Sequence, residues 1–358
     1  MFYREAGQFK TSYTADQAIF PILQDRVGLS LIMAAAFLLP LVGSDFLLNS
    51  FMIPFLIFAL ASIGLNILTG YCGQLSLGTG AFMGVGAYAC YKLTTIFPDV
   101  NILIHILLSG FFAAAIGCVF GLPSLRIKGL YLAITTLAAQ FFLEWCFIRI
   151  PWLYNYNDSG AIEVPTRTLA GIPITGASAT PAVRYYVILL LVIALTWIAS
   201  NVIRGRIGRS WMMIRDMDIA AELMGIKPLN AKLSAFAMSS YFCGVAGALM
   251  VFMWLGAAEV ESFAINRSFE VLFMVIIGGM GSLIGCFMGA AFIFGLPIFV
   301  RALPEMMGFA MNSATVDHIS RMVIGALIIF FLIVEPHGLA RLWQIAKEKL
   351  RTWPFPYS

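Results

Sequence analysis

The sequence of 358 residues is 61% hydrophobic and only 11% charged, with a formal net charge of +4. Water-soluble globular chains carry about 25% charged residues, so this composition excludes a soluble globular fold, and so small a basic excess is no nucleic-acid footprint. The apolar residues fall in long runs, and a bilayer core about 30 Å thick takes roughly 20 of them per helix; the chain is expected to be an all-α, polytopic integral membrane bundle.

Residues 1–27 carry mixed charge, and the apolar run after them is too long for the core of a cleavable signal. The first span is therefore predicted over 28–48, opening a transmembrane domain that extends over 28–339. Further spans are predicted over 51–68, 78–96, 102–122, 130–149, 185–203, 233–256, 269–281, 284–303 and 319–335, about ten in all. The apolar run from Val271 to Val300 is broken by Gly278, Gly279, Gly281 and Gly285. Two short helices meeting at a turn fit it better than one long helix, which makes the bundle one of Gly-interrupted helices. With both termini placed in the cytoplasm, the inner segments hold fifteen of the 22 Lys and Arg residues. The positive-inside rule favours that orientation. It makes 1–27 and the tail 340–358 cytoplasmic, the loop 150–184 external and the loop 204–232 internal.

In chain order, the first stretch with functional potential is Gly70–Gly86, which has six glycines in 17 residues. Tight helix packing explains Gly80 and Gly84, four apart. It does not explain Gly70, Gly73, Gln74, Ser76 and Gly78, where polar residues stand among helix breakers. Irregular backbone at membrane depth survives where protein or a water-filled cavity satisfies it, so these residues are candidates for a substrate path. Gly278, Gly279, Gly281 and Ser282 are their counterpart in the second half, and Gly281, Gly285 and Gly289 are expected on one packing face. Over 130–149, Thr136 and Gln140 share a face and can bond across helices. Glu144 lies about 7–8 Å from the span's end at Arg149, and is either an interfacial acid or a polar pore residue.

The internal loop carries six basic residues, and its Asp218–Pro228 stretch writes a short, stopped helix. Asp218 is the expected N-cap, Ala220, Ala221 and Glu222 favour helix, Gly225 suits a left-handed stop, and Pro228 forbids continuation. Ile219 and Leu223 share one side with exposed alanines, so the helix fits either a partner's groove or the membrane surface. The six cysteines (Cys72, Cys90, Cys118, Cys146, Cys243, Cys286) lie singly in apolar stretches and read as packing residues. His105, His318 and His337 have no metal-ligand spacing, no phosphate-binding GxxxxGK[ST] loop occurs, and no catalytic grouping is seen, so no enzyme activity, metal or cofactor is expected of this chain.

Taken together, Gly70-Tyr71-Cys72-Gly73-Gln74-Leu75-Ser76-Leu77-Gly78 with Ala81-Phe82, Leu125 to Ala133, Asp218 to Gly225, Gly278-Gly279-Met280-Gly281-Ser282 and Glu335-Pro336-His337-Gly338-Leu339 resemble permease subunits of branched-chain amino acid ABC importers, of the LivM type. The resemblance implies an inner-membrane permease paired with a related permease. Two cytoplasmic ATPase subunits would bind ATP and Mg, and a periplasmic solute-binding protein would deliver the solute. It also implies that the helix around Ala220, Ala221, Glu222 and Gly225 is the coupling helix that enters the ATPase groove. Urea and short-amide permeases share the pattern, so the solute stays open. A stand-alone secondary transporter or channel is the alternative, with Glu144 its one candidate coupling residue.

Overall fold

A computed structural model describes residues 11–12, 23–124, 131–157, 159–169, 171–176, 178–306, 313–334 and 338–352. Most of the 1–27 segment, the end of the 340–358 tail, and the Leu125–Leu130 and Glu335–His337 parts of the matched motifs lie outside the described residues. The helices are α1 (Leu23–Val42), α2 (Asp45–Tyr71), α3 (Thr79–Ile96), α4 (Ile102–Ser124), α5 (Tyr131–Arg149), α6 (Pro181–Arg204), α7 (Arg206–Asp216), α8 (Asp218–Leu223), α9 (Pro228–Leu255), α10 (Ile265–Gly278), α11 (Leu283–Met306), α12 (Ser313–Val334) and α13 (Gly338–Thr352). Among the described residues, α1, α2, α4, α5, α6, α9 and α11 are long and apolar enough to cross a membrane. Helices α3, α10 and α12 stand where the other three spans are predicted. Length and composition alone thus mark seven crossings among the described residues; of the other three helices, α10 has 14 residues, a reach of about 21 Å, and α3 is diluted by glycines, threonines and Lys92.

The boundary predicted at residue 48 moves to Val42. Ser44 takes an extended conformation (φ −72°, ψ 154°) and its Oγ accepts from the Leu47 N–H at 3.3 Å, so Ser44-Asp45 is a helix start inside the apolar run. Helix α2 carries π-helical turns at Leu48–Met52 and Ile67–Tyr71, and α9 one at Met250–Leu255. Pro54, with no N–H to give, follows the first of them.

Helices α2 and α9 form the buried centre, each with 83% of its spanning window covered. Small residues let their neighbours approach to backbone contact. A Cβ on Gly247 of α9 would lie 1.9 Å from the Met83 carbonyl oxygen of α3, and one on Gly86 of α3 would lie 2.0 Å from the Gly244 carbonyl oxygen of α9. Helix α1 sits at the rim with Leu31, Ile32, Leu38 and Leu41 exposed.

Among the described residues, three two-residue strands in the 150–184 loop and a fourth in the α9–α10 connection amend the all-α expectation. β1 (Ile162–Glu163) pairs antiparallel with β4 (Ala257–Ala258), and β2 (Thr168–Leu169) with β3 (Ile172–Pro173). The first pairing pins the loop to the α9–α10 connection. Arg167 ties it to the end of α3, donating from Nη2 to the Thr94 carbonyl at 2.8 Å and from Nη1 to the Pro98 carbonyl at 2.7 Å. The six cysteines are free, with Cys72, Cys90, Cys243 and Cys286 buried.

Candidate functional site

The first break follows Tyr71. Gly73 takes φ +71°, where an L side chain is strained, and non-helical chain continues to Gly78. The Gln74 N–H returns to the Leu68 carbonyl at 3.0 Å, and the Ser76 Oγ accepts a long bond from the Gly78 N–H at 3.5 Å. Helix α3 then starts among buried residues, and Gly78 has no side chain to cap it. The first N–H groups of a helix have no partner within it. Here other helices supply the acceptors. The Leu77 N–H donates to Thr136 Oγ1 of α5 at 3.0 Å, the Gly80 N–H to Ser268 Oγ of α10 at 2.7 Å, and the Ala81 N–H to Gln140 Oε1 of α5 at 2.8 Å. Gln140 is fully buried and also donates from Nε2 to the Phe263 carbonyl at 2.7 Å and to Glu144 Oε1 at 2.6 Å. Ser268 completes the ring by donating to Gln140 Oε1 at 3.0 Å. Thr136, Gln140 and Glu144 thus belong to one buried-to-half-buried cap on α3.

The second break lies between α10 and α11. Gly279 (φ +113°) and Gly281 (φ +78°) make the turn, and Ser282 Oγ caps α11 by accepting from the Gly285 N–H at 3.1 Å. A Cβ on Gly278 would lie 2.0 Å from the Gly285 carbonyl oxygen, so the two helices leave the turn in backbone contact. The expected face of Gly281, Gly285 and Gly289 is corrected to Gly285 and Gly289 alone, because Gly281 is spent on the turn.

The two breaks meet. Buried Asn66 of α2 accepts from the Gly281 N–H at 2.8 Å and donates to the Ser282 carbonyl at 3.1 Å. A Cβ on Gly70 would lie 2.3 Å from the Gly281 nitrogen. Arg215, in the last turn of α7, donates from Nη1 to the Gly70 carbonyl at 2.9 Å and from Nε to Asp216 at 3.0 Å. Its side chain also fills the space that a Cβ on Gly73 would need, 2.9 Å from Arg215 Cγ.

From Arg215 the chain runs through Met217 into α8. Asp218 is the first helical residue rather than the cap. Extended Met217 (φ −155°, ψ 101°) occupies the cap position, and the Asp218 carboxylate lies 4.0 Å from Lys232 Nζ. An acid at this first position still suits the positive end of the helix. Gly225 takes φ +88° and stops the helix as expected from its residue type. Of the two alanines read as exposed, Ala220 is, but Ala221 is 1% exposed because it faces inward against the bundle. The outward side carries Ile219, Glu222, Leu223 (85% exposed) and Met224 (71% exposed).

Three residues at these junctions escape the sequence reading. Asn66 does leave a trace, as an amide inside the apolar stretch from Ile63 to Leu68. Arg215 is hidden among topology-setting cations, and Ser268 has no distinguishing signal.

Among the described residues, seven helices long and apolar enough to cross a membrane, packed so that side chains of one cap the start of another, define a polytopic helical membrane protein. The family model described as branched-chain amino acid transport system, permease component, matches residues 47–332, and the chain belongs to that family of transport permeases. It is 31% identical over 307 residues to the high-affinity branched-chain amino acid transport system permease protein LivM of Salmonella typhimurium strain LT2, with 79% of this chain and 68% of the relative covered. The same figures hold for the LivM protein of Escherichia coli K12. No solved structure matches the chain.

Proposed function

We propose that this chain is one half of the pore of an ATP-driven importer for branched-chain amino acids or a similar small solute. It crosses the inner membrane about ten times, with both termini in the cytoplasm. A related permease supplies the other half, two cytoplasmic ATPase subunits hydrolyse ATP, and a periplasmic binding protein delivers the solute. The observation that carries the mechanism is the Arg215–Gly70 bond. It ties the segment leading into the exposed α8 turn to the point where both helix breaks meet. Force received at Ile219, Glu222, Leu223 and Met224 can therefore reach the Gly70–Gly78 and Gly278–Ser282 segments through one side chain. Glycine turns are suited to absorbing such a movement, since their φ values are open to change. On this reading the transporter works by alternating access, and those two segments border the solute path.

Two measurements test the proposal. In proteoliposomes, uptake is expected only with the ATPases and ATP present; uptake by this chain alone overturns it in favour of a stand-alone carrier or channel. Gly225→Pro cannot hold φ +88° and Glu222→Arg reverses charge on the outward side. Each is expected to leave membrane insertion intact and reduce binding-protein-stimulated ATP hydrolysis more than tenfold. Normal stimulation in both variants removes α8 from the coupling role.

A further inference from the structure

Glu144 is the member of the cap on α3 whose own bonding the cap leaves incomplete. Its side chain folds back toward the start of α5, as helical side chains do, and its Oε1 accepts from Gln140 Nε2 at 2.6 Å. Gln140 stands nine residues from each end of α5 (Tyr131–Arg149), about 14 Å from either. The carboxylate is therefore held over the middle turn of a helix long and apolar enough to cross a membrane, and not at its rim. Among the described residues, Oε2 has no hydrogen-bond partner and no Lys, Arg or His pairs with the acid. Glu144 is half-buried, and Phe141 and Ile148, one turn away on either side, are exposed. An ionisable group held against lipid at this depth is expensive; acids within spans face a bundle interior or a water-filled path, and mark the route of a solute.

The same cap decides which end of a solute this place suits. A helix start buried within a bundle is a ready seat for a carboxylate. Here the N–H groups of Leu77, Gly80 and Ala81 are already taken by Thr136, Ser268 and Gln140. What the ring has left to offer is an unclaimed carboxylate oxygen, an acceptor. A donor that is itself charged makes the stronger bond to it, and Phe141 and Ile148 supply apolar surface one turn to either side. We infer that Glu144 is a specificity-determining residue of the solute path, receiving the primary ammonium group of a solute with an aliphatic side chain. Neutral urea and short amides do not meet that requirement. The inference rests on the permease reading and narrows its solute to a class that carries an amino group.

The test uses the permease assembled with its partners and asks what shields Glu144 from dicyclohexylcarbodiimide, an apolar reagent that adds to carboxyl groups within membranes. The adduct is located by peptide mass, with Glu144→Gln as the blank. Isoamylamine and leucine, each at about ten times its half-protecting concentration, are expected to slow labelling about tenfold by mass action. Isocaproate, urea and acetamide, at the same concentrations, are expected to leave the rate unchanged. No protection by the amine, equal protection by the acid or the neutral amides, or a Glu144 that the complex shields with no solute present overturns the inference; the last result gives this acid to a protein partner. ATP-driven uptake by the same complex is measured beside it. Loss of the importer reading shows as no ATP-dependent uptake, whereas loss of this inference shows as uptake without selective protection of Glu144.

Discussion

Gln140 shows how much one buried side chain carries. Its amide accepts from the Ala81 N–H and Ser268 and donates to the Phe263 carbonyl and Glu144, so two helix starts, α3 and α10, depend on it. Replacing it by leucine keeps the volume close and strands a buried donor and a buried acceptor. Each unsatisfied group costs about 1–3 kcal/mol. Gln140→Leu is thus expected to lower the thermal unfolding midpoint in detergent by several degrees, whereas leucine at exposed Phe142 is expected to leave it in place. An unchanged midpoint in Gln140→Leu sinks the capping role. The sequence allows a cross-helix bond from Gln140 because an amide in an apolar span needs one. It cannot name the partner, since Ala81 lies 59 residues away and only the packed bundle brings the two together.

Between elements, the decisive contact is Arg215 on the end of α2. Arg215→Gln removes the guanidinium that reaches the Gly70 carbonyl, and Arg215→Lys keeps the charge but not the fork. Both variants are expected to insert normally and to hydrolyse ATP with the partners, while solute moved per ATP falls at least several-fold. An unchanged ratio in Arg215→Gln breaks the proposed link. The breaks themselves were legible in the sequence, since Gly73, Gly225, Gly279 and Gly281 answer a local need for positive φ that few other residues meet. What stayed hidden was in part local and in part set by packing. The start at Ser44 was masked by apolar neighbours on both sides, the cap at Met217 depends on a backbone turn that no side chain announces, and the burial of Ala221 depends on how α8 lies against the bundle.

At the scale of the whole molecule, the proposed orientation, with both termini in the cytoplasm, would place α8 on the cytoplasmic side. Met224→Cys is expected to react with a membrane-impermeant maleimide in inverted vesicles and not in intact cells, against a low background because four of the six native cysteines are buried. The reverse pattern turns the topology over. The Asn66 clamp has one more consequence, for the order in which the protein is made. Its acceptor and donor are met by Gly281 and Ser282, 215 and 216 residues further along the chain. At about 5–20 residues per second a ribosome takes roughly 10–40 s to cover that distance. For that interval α2 carries a bare amide in the bilayer, so the helix must wait beside the insertion machinery or a water-filled gap, and the C-terminal helices are the ones that close the bundle.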